Sequence, residues 1–120
     1  MSAKLSMMRA VTDEAKTPPA NVYEGNGQLS VALPIPGAHP EQTQVLVTPE
    51  RLTVNAEHKY PQTDQHYHRH EWHVGRWQLE LDLPRRVDPG RARATLRYGV
   101  LVVMAPISEQ GSGESRPKVS

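Results

Sequence analysis

The segment Arg76-Trp77-Gln78-Leu79-Glu80-Leu81-Asp82-Leu83-Pro84 alternates apolar and polar side chains without a break. Trp77, Leu79, Leu81 and Leu83 fall on one side of an extended chain, while Gln78, Glu80 and Asp82 fall on the other. A helix of the same residues would scatter the apolar groups around its axis. The segment therefore reads as a half-buried strand, and Pro84 closes it because proline cannot donate to a ladder.

The same period extends in both directions. Upstream, Leu29, Val31 and Leu33 alternate with Gln28, Ser30 and Ala32, and Pro34, Pro36 and Gly37 end that run. Asn26-Gly27 just before it suits a tight hairpin, which makes Val22-Tyr23-Glu24 the preceding strand. Val45 and Val47 mark a strand over 44–48, Pro49-Glu50 turns the chain, and Leu52 and Val54 mark another over 51–56. Downstream, Ala92, Ala94 and Leu96 alternate over 91–97. Tyr98-Gly99 then turns into Val100-Leu101-Val102-Val103-Met104, which Pro106 ends. Asp88-Pro89-Gly90 has room for a single helical turn at most. Seven or eight short strands with turn signals between them predict an all-β, immunoglobulin-like, two-sheet antiparallel sandwich over residues 20–107.

The flanks read differently. Residues 1–19 form an arm in which Leu5, Met8 and Val11 would line one side of a short helix, stopped by Thr17-Pro18-Pro19. A helix so short is marginal alone, so a flexible arm is expected. Residues 108–120 are rich in Gly, Ser, Glu and Lys and read as a disordered tail. Residues 58–70, HKYPQTDQHYHRH, are polar and too long for a tight turn, as loops with a function often are.

Composition narrows the function. The 120 residues suffice for one domain with a modest core. With no Phe, that core must come from Val, Leu, Ile and Ala. A net charge of +1 gives no basic stripe for nucleic acid: Arg85, Arg86, Arg91, Arg93 and Arg97 are diluted by Asp82 and Asp88. There is no Cys, hence no disulfide and no thiol nucleophile. No apolar run reaches the roughly 18 residues of a membrane span. Residues 1–10 lack a signal-peptide core, so a soluble cytoplasmic protein is expected. Nucleophile-elbow, phosphate-loop, dinucleotide and zinc-protease motifs are all missing, so neither an enzyme nor a cofactor is expected.

His66, His68 and His70 are the candidate metal ligands. On a strand they would share one side at about 7 Å intervals, and imidazole suits Zn²⁺ or Ni²⁺. A closed zinc site ordinarily takes four ligands, often including Cys. The expectation is therefore a solvated histidine-rich edge without metal.

Residues 20–107 resemble the α-crystallin domain of small heat-shock proteins. Ala94-Thr95-Leu96-Arg97-Tyr98-Gly99-Val100-Leu101, followed by Val103 and Pro106, follows the family's A-x-x-x-N-G-V-L pattern, with Tyr98 in place of Asn. Gly75, Trp77 and Leu83-Pro84 match the family's G-x-F…L-P segment, and Leu33-Pro34-Ile35-Pro36-Gly37 resembles its LPG. The resemblance implies an ATP-independent holdase that binds partly unfolded clients through apolar surface. In bacterial and plant members, it implies a homodimer made by strand exchange through the long loop. That role would fall here to Tyr67, His68, Arg69 and His70. A docking groove would lie between the strand of Val45 and Val47 and the strand of Ala94 and Leu96.

Three departures shape the expectation. Leu79 stands where the family often has an interface Arg, the arm is short, and the tail lacks an I-x-I motif, Val119 being its lone apolar residue after Ile107. A dimer or small oligomer with an unfilled groove is expected. Two rival readings remain: a CS-type adaptor serving a larger chaperone, and a metal-responsive domain built on His66, His68 and His70.

Overall fold

Seven strands form in the computed structural model, which describes residues 15–58, 66–73 and 75–120. They are β1 (Asn21–Gly25), β2 (Gln28–Pro34), β3 (Ala38–Val47), β4 (Arg51–His58), β5 (Trp77–Asp82), β6 (Arg93–Arg97) and β7 (Val100–Pro106). A 3₁₀ turn at Pro89–Arg91 separates β5 from β6, and the Asp88 side chain caps it by accepting from the Gly90 N–H. One sheet runs β1-β2-β7-β6 and the other β3-β4-β5, with every ladder antiparallel. This is the sandwich that the alternating pattern predicts.

Register explains the core. In the four-stranded sheet Leu33, Leu101 and Leu96 stand in one row, and Val31, Val103 and Ala94 in the next. In the three-stranded sheet Val45, Val54 and Leu79 share a row, as do Val47, Leu52 and Leu81. All of these but the partly buried Leu81 are buried, and Leu33, Val54 and Leu101 are wholly so. Leu79 faces this core, so the position that departs from the family's Arg carries packing here. Trp77 joins the core and donates its indole N–H to the Pro36 carbonyl at 3.3 Å.

β3 is longer than the sequence predicts. It starts at Ala38 and slips register between Ala38 and Thr43. Pro40 lies in that irregular stretch of an edge strand, a place where a missing N–H does little harm. Ion pairs tie the flanks: Arg51 reaches Asp82 at 3.3 Å, and Arg85 reaches Glu24 at 2.9 Å.

The β6–β7 turn holds Tyr98 at φ 53° and Gly99 at φ 77°. Both central residues are left-handed, the type I′ geometry whose first position suits Asn and strains a larger side chain. The Tyr98 side chain is fully exposed and returns nothing through burial. Tyr98→Asn is therefore expected to stabilise the fold by roughly 0.5–1 kcal/mol. Thermal denaturation reads this directly, and an unchanged or lower melting temperature would contradict it.

Both flanks differ from expectation. Residues 15–19 of the arm lie along β5: Lys16 N–H donates to Arg76 O at 3.0 Å, Gln78 N–H donates to Lys16 O at 2.9 Å, and Pro18 is buried. The helix read around Leu5, Met8 and Val11 lies outside the described residues. Residues 108–120, read as disordered, are packed against the sandwich. Backbone pairing supplies the reason, since it needs no apolar composition.

Candidate functional site: a groove between two sheet edges

β3 and β6 are the edge strands on one side of the sandwich. Each edge carries backbone groups without a neighbouring strand. Val45 and Val47 of β3 and Ala94 and Leu96 of β6 point into the core here, and each is at most 8% exposed.

The groove is filled by this chain's own residues 115–120. On the β3 side, Val47 N–H donates to Ser115 O and Ser115 N–H to Val47 O, both at 2.9 Å. On the β6 side, Leu96 N–H donates to Ser120 O at 2.8 Å and Ser120 N–H to Ala94 O at 3.2 Å. Val119 pairs in parallel with Ala94 and joins the core, 7% exposed. The expectation of an unfilled groove is thus corrected. One valine suffices because both rims contribute backbone bonds that no side-chain motif announces.

A clip holds the start of this segment. The Arg86 guanidinium donates from Nε and Nη2 to the carbonyl of Gly111, at 3.0 and 2.8 Å, and from Nη1 to Glu50 at 2.9 Å. Gly111 passes so close to Val87 that a Cβ there would stand 1.9 Å from the Val87 carbonyl oxygen. The Ser115 hydroxyl donates to the Pro89 carbonyl. Sequence reasoning misses Arg86 and Gly111 altogether, since nothing local links residues 25 apart.

The long loop is described only from His66 onward. Tyr67, His68, Arg69 and His70 do not form a strand within the single chain. His66 and His68 meet edge-on with ring centroids 5.2 Å apart, Tyr67 and His70 at 5.0 Å, and Arg69 reaches Glu71 at 3.6 Å. The His66 ring thus meets that of His68, while the His70 ring packs on Tyr67. Among the described residues no group of three or more His, Cys, Asp or Glu side chains is placed to hold a metal. The loop's return is pinned by His73, which is buried. Its Nε2 donates to the Arg76 carbonyl at 2.6 Å, and its ring packs edge-on to Trp77 at 4.6 Å.

At the other side of the sandwich, β1 pairs only with β2 among the described residues, and all five of its residues are exposed. No helix of the described residues is long and apolar enough to cross a membrane.

Known proteins are similar to this chain in sequence and in fold. Heat shock protein 16 of Schizosaccharomyces pombe is 28% identical over 98 residues, covering 78% of this chain and 68% of its own length. A chloroplastic small heat shock protein of Solanum lycopersicum is 26% identical over 98 residues. That alignment covers 82% of this chain but 41% of the tomato protein, so this chain spans well under half of that relative. Among solved structures, hspA from Xanthomonas axonopodis superposes with a TM-score of 0.67 at 22% identity, covering 81% of this chain and 97% of that one. Heat shock protein 16.0 from S. pombe gives 0.63 at 25% identity, covering 81% and 92%. Residues 21–120, which include both the sandwich and the groove-filling segment, match the Hsp20/alpha crystallin family, and the chain belongs to that family.

Proposed function

We propose that this protein is an ATP-independent holdase, a chaperone that binds partly unfolded polypeptides and keeps them from aggregating. One observation carries the reading. The groove between β3 and β6 takes an extended peptide by backbone bonds at both rims and packs its apolar side chain into the core. Backbone pairing is indifferent to sequence, which suits a binder of many unfolded chains. Neither a catalytic residue nor a cofactor is needed, because exposed apolar area and open strand edges do the binding.

In this reading residues 115–120 compete with clients for the groove. Wild-type protein is expected to suppress aggregation of a heated client without ATP. Val119→Asp places a carboxylate in the apolar core, should release the segment, and should raise protection several-fold. If light scattering showed equal protection by both, the groove would not be the client site. No protection by either would favour the adaptor reading.

The same reading makes the protein a homodimer. Tyr67, His68, Arg69 and His70 would pair with β1 of a partner subunit, whose exposed edge has room for one more strand. A small species is expected by sedimentation, and a shell-sized particle would overturn it.

A further inference from the structure

Residues 115–120 cross the groove as one run whose burial alternates. Ser115 and Pro117 are partly buried and Val119 is buried, while Arg116 and Lys118 are exposed. Backbone bonds fall only at the two ends. Ser115 exchanges a pair with Val47 of β3, and Ser120 bonds with Ala94 and Leu96 of β6. Arg116, Pro117 and Lys118 make no backbone hydrogen bond to another described residue.

Strand geometry dictates this spacing. Successive peptide groups of an extended chain point to opposite sides. A residue bonded to β3 and one bonded to β6 must therefore stand an odd number of positions apart, and Ser115 and Ser120 are five apart. The side chains turned inward are then those of Ser115, Pro117 and Val119, and each meets a different chemistry. The Ser115 hydroxyl donates to the Pro89 carbonyl, which the 3₁₀ turn holds in place through the Ala92 N–H at 3.1 Å. Val119 joins the core four positions later. At the position between them no donor is asked for, so a proline is accepted where a regular ladder would reject it. A shift of one residue would turn these side chains outward and aim both rim bonds at the wrong edge.

We propose that the groove selects client segments by this pattern: a small hydroxyl residue, then an aliphatic residue four positions later, with proline accepted midway. The proposal rests on the holdase reading and names the class of segment that the same site holds.

Three peptides test it against the full chain carrying Val119→Asp, with the amide shifts of Val47 and Leu96 read by NMR. The first has Ser and Val four positions apart with Ala between them. The second replaces its Ser by Ala, and the third lacks one of the intervening Ala. The first is expected to bind in the millimolar range. The second should bind about 2- to 10-fold more weakly, as the loss of one hydrogen bond dictates. The third should bind at least about 10-fold more weakly, because its Val no longer enters the core. In the otherwise native chain, deleting Lys118 should strip exchange protection from Val47 or Leu96. Val54 and Leu101 should stay protected and so report an intact sandwich. Equal binding by the first and third peptides would overturn the proposal. So would full protection of both rim amides after the deletion, or no shift with any peptide. Heated-client protection separates the two readings. If clients are protected while spacing makes no difference, the pattern fails and the holdase reading stands. If the peptides bind as expected while neither wild type nor Val119→Asp protects a client, the holdase reading itself fails.

Discussion

Replacing Gly111 by alanine is expected to detach residues 112–120 from the groove while leaving the sandwich folded. The added Cβ would stand 1.9 Å from the Val87 carbonyl oxygen and 2.7 Å from its carbon. Both belong to backbone that is itself held, since Val87 N–H donates to Pro49 O at 3.0 Å and Asp88 N–H to Pro106 O at 2.9 Å. The tail is the part free to move. What holds it is modest: burial of one valine contributes about 1.5–3 kcal/mol, and each backbone bond about 0.5–1.5 kcal/mol. Ordering the segment costs about 1–2 kcal/mol per residue against that. The net hold is therefore small compared with a backbone overlap of this depth.

Amide exchange gives the sharpest check. The Val47 and Leu96 N–H groups are covered in the native chain by Ser115 O and Ser120 O. In Gly111→Ala both should exchange at the rate of an open edge, while Val54 and Leu101, inside their sheets, stay protected. Client protection should rise in parallel, as for Val119→Asp. If Val47 and Leu96 kept their protection, the Val87 backbone would have yielded instead and the clip would not control the groove.

Leu101→Ala is expected to cost about 2–5 kcal/mol, the range for emptying a fully buried leucine site. Leu101 is 0% exposed, central in β7, and in register with Leu33 on one side and Leu96 on the other. Its neighbours are locked in ladders on both flanks and cannot collapse into the space. For a domain of this size the melting temperature should fall by roughly 10–20 °C. A fall of only a few degrees would mean that the inner rows repack, contrary to the register described above. The outward Met104→Ser offers a contrast on the same strand, because its side chain is not part of the buried core.

Much of the fold is written in the chain itself. Period-two runs at Leu29–Val31–Leu33, Leu52–Val54 and Trp77–Leu79 fix which side chains face inward, because successive residues of a strand point to opposite faces whatever lies beyond them. Asn26-Gly27 and Asp88-Pro89-Gly90 fix the hairpin and the 3₁₀ turn through local backbone preference. That Val45, Val47, Ala94 and Leu96 face inward is legible for the same reason. β3 upstream of Thr43 is not, because Pro40 and its polar neighbours carry no alternation there. The family resemblance assigns a pairing strand to Tyr67–His70, yet in the single chain these residues form no strand.

The tertiary structure alone decides what occupies the groove. Residues 108–120 have the composition of a solvated tail, with a single valine to bury. They are held instead by Val47, Ala94 and Leu96 backbone groups and by the Arg86 fork on the Gly111 carbonyl. Local sequence encodes side-chain direction and turn geometry. A peptide group on an open sheet edge has the same chemistry at every residue, so its partner is chosen only when folding brings two distant edges side by side.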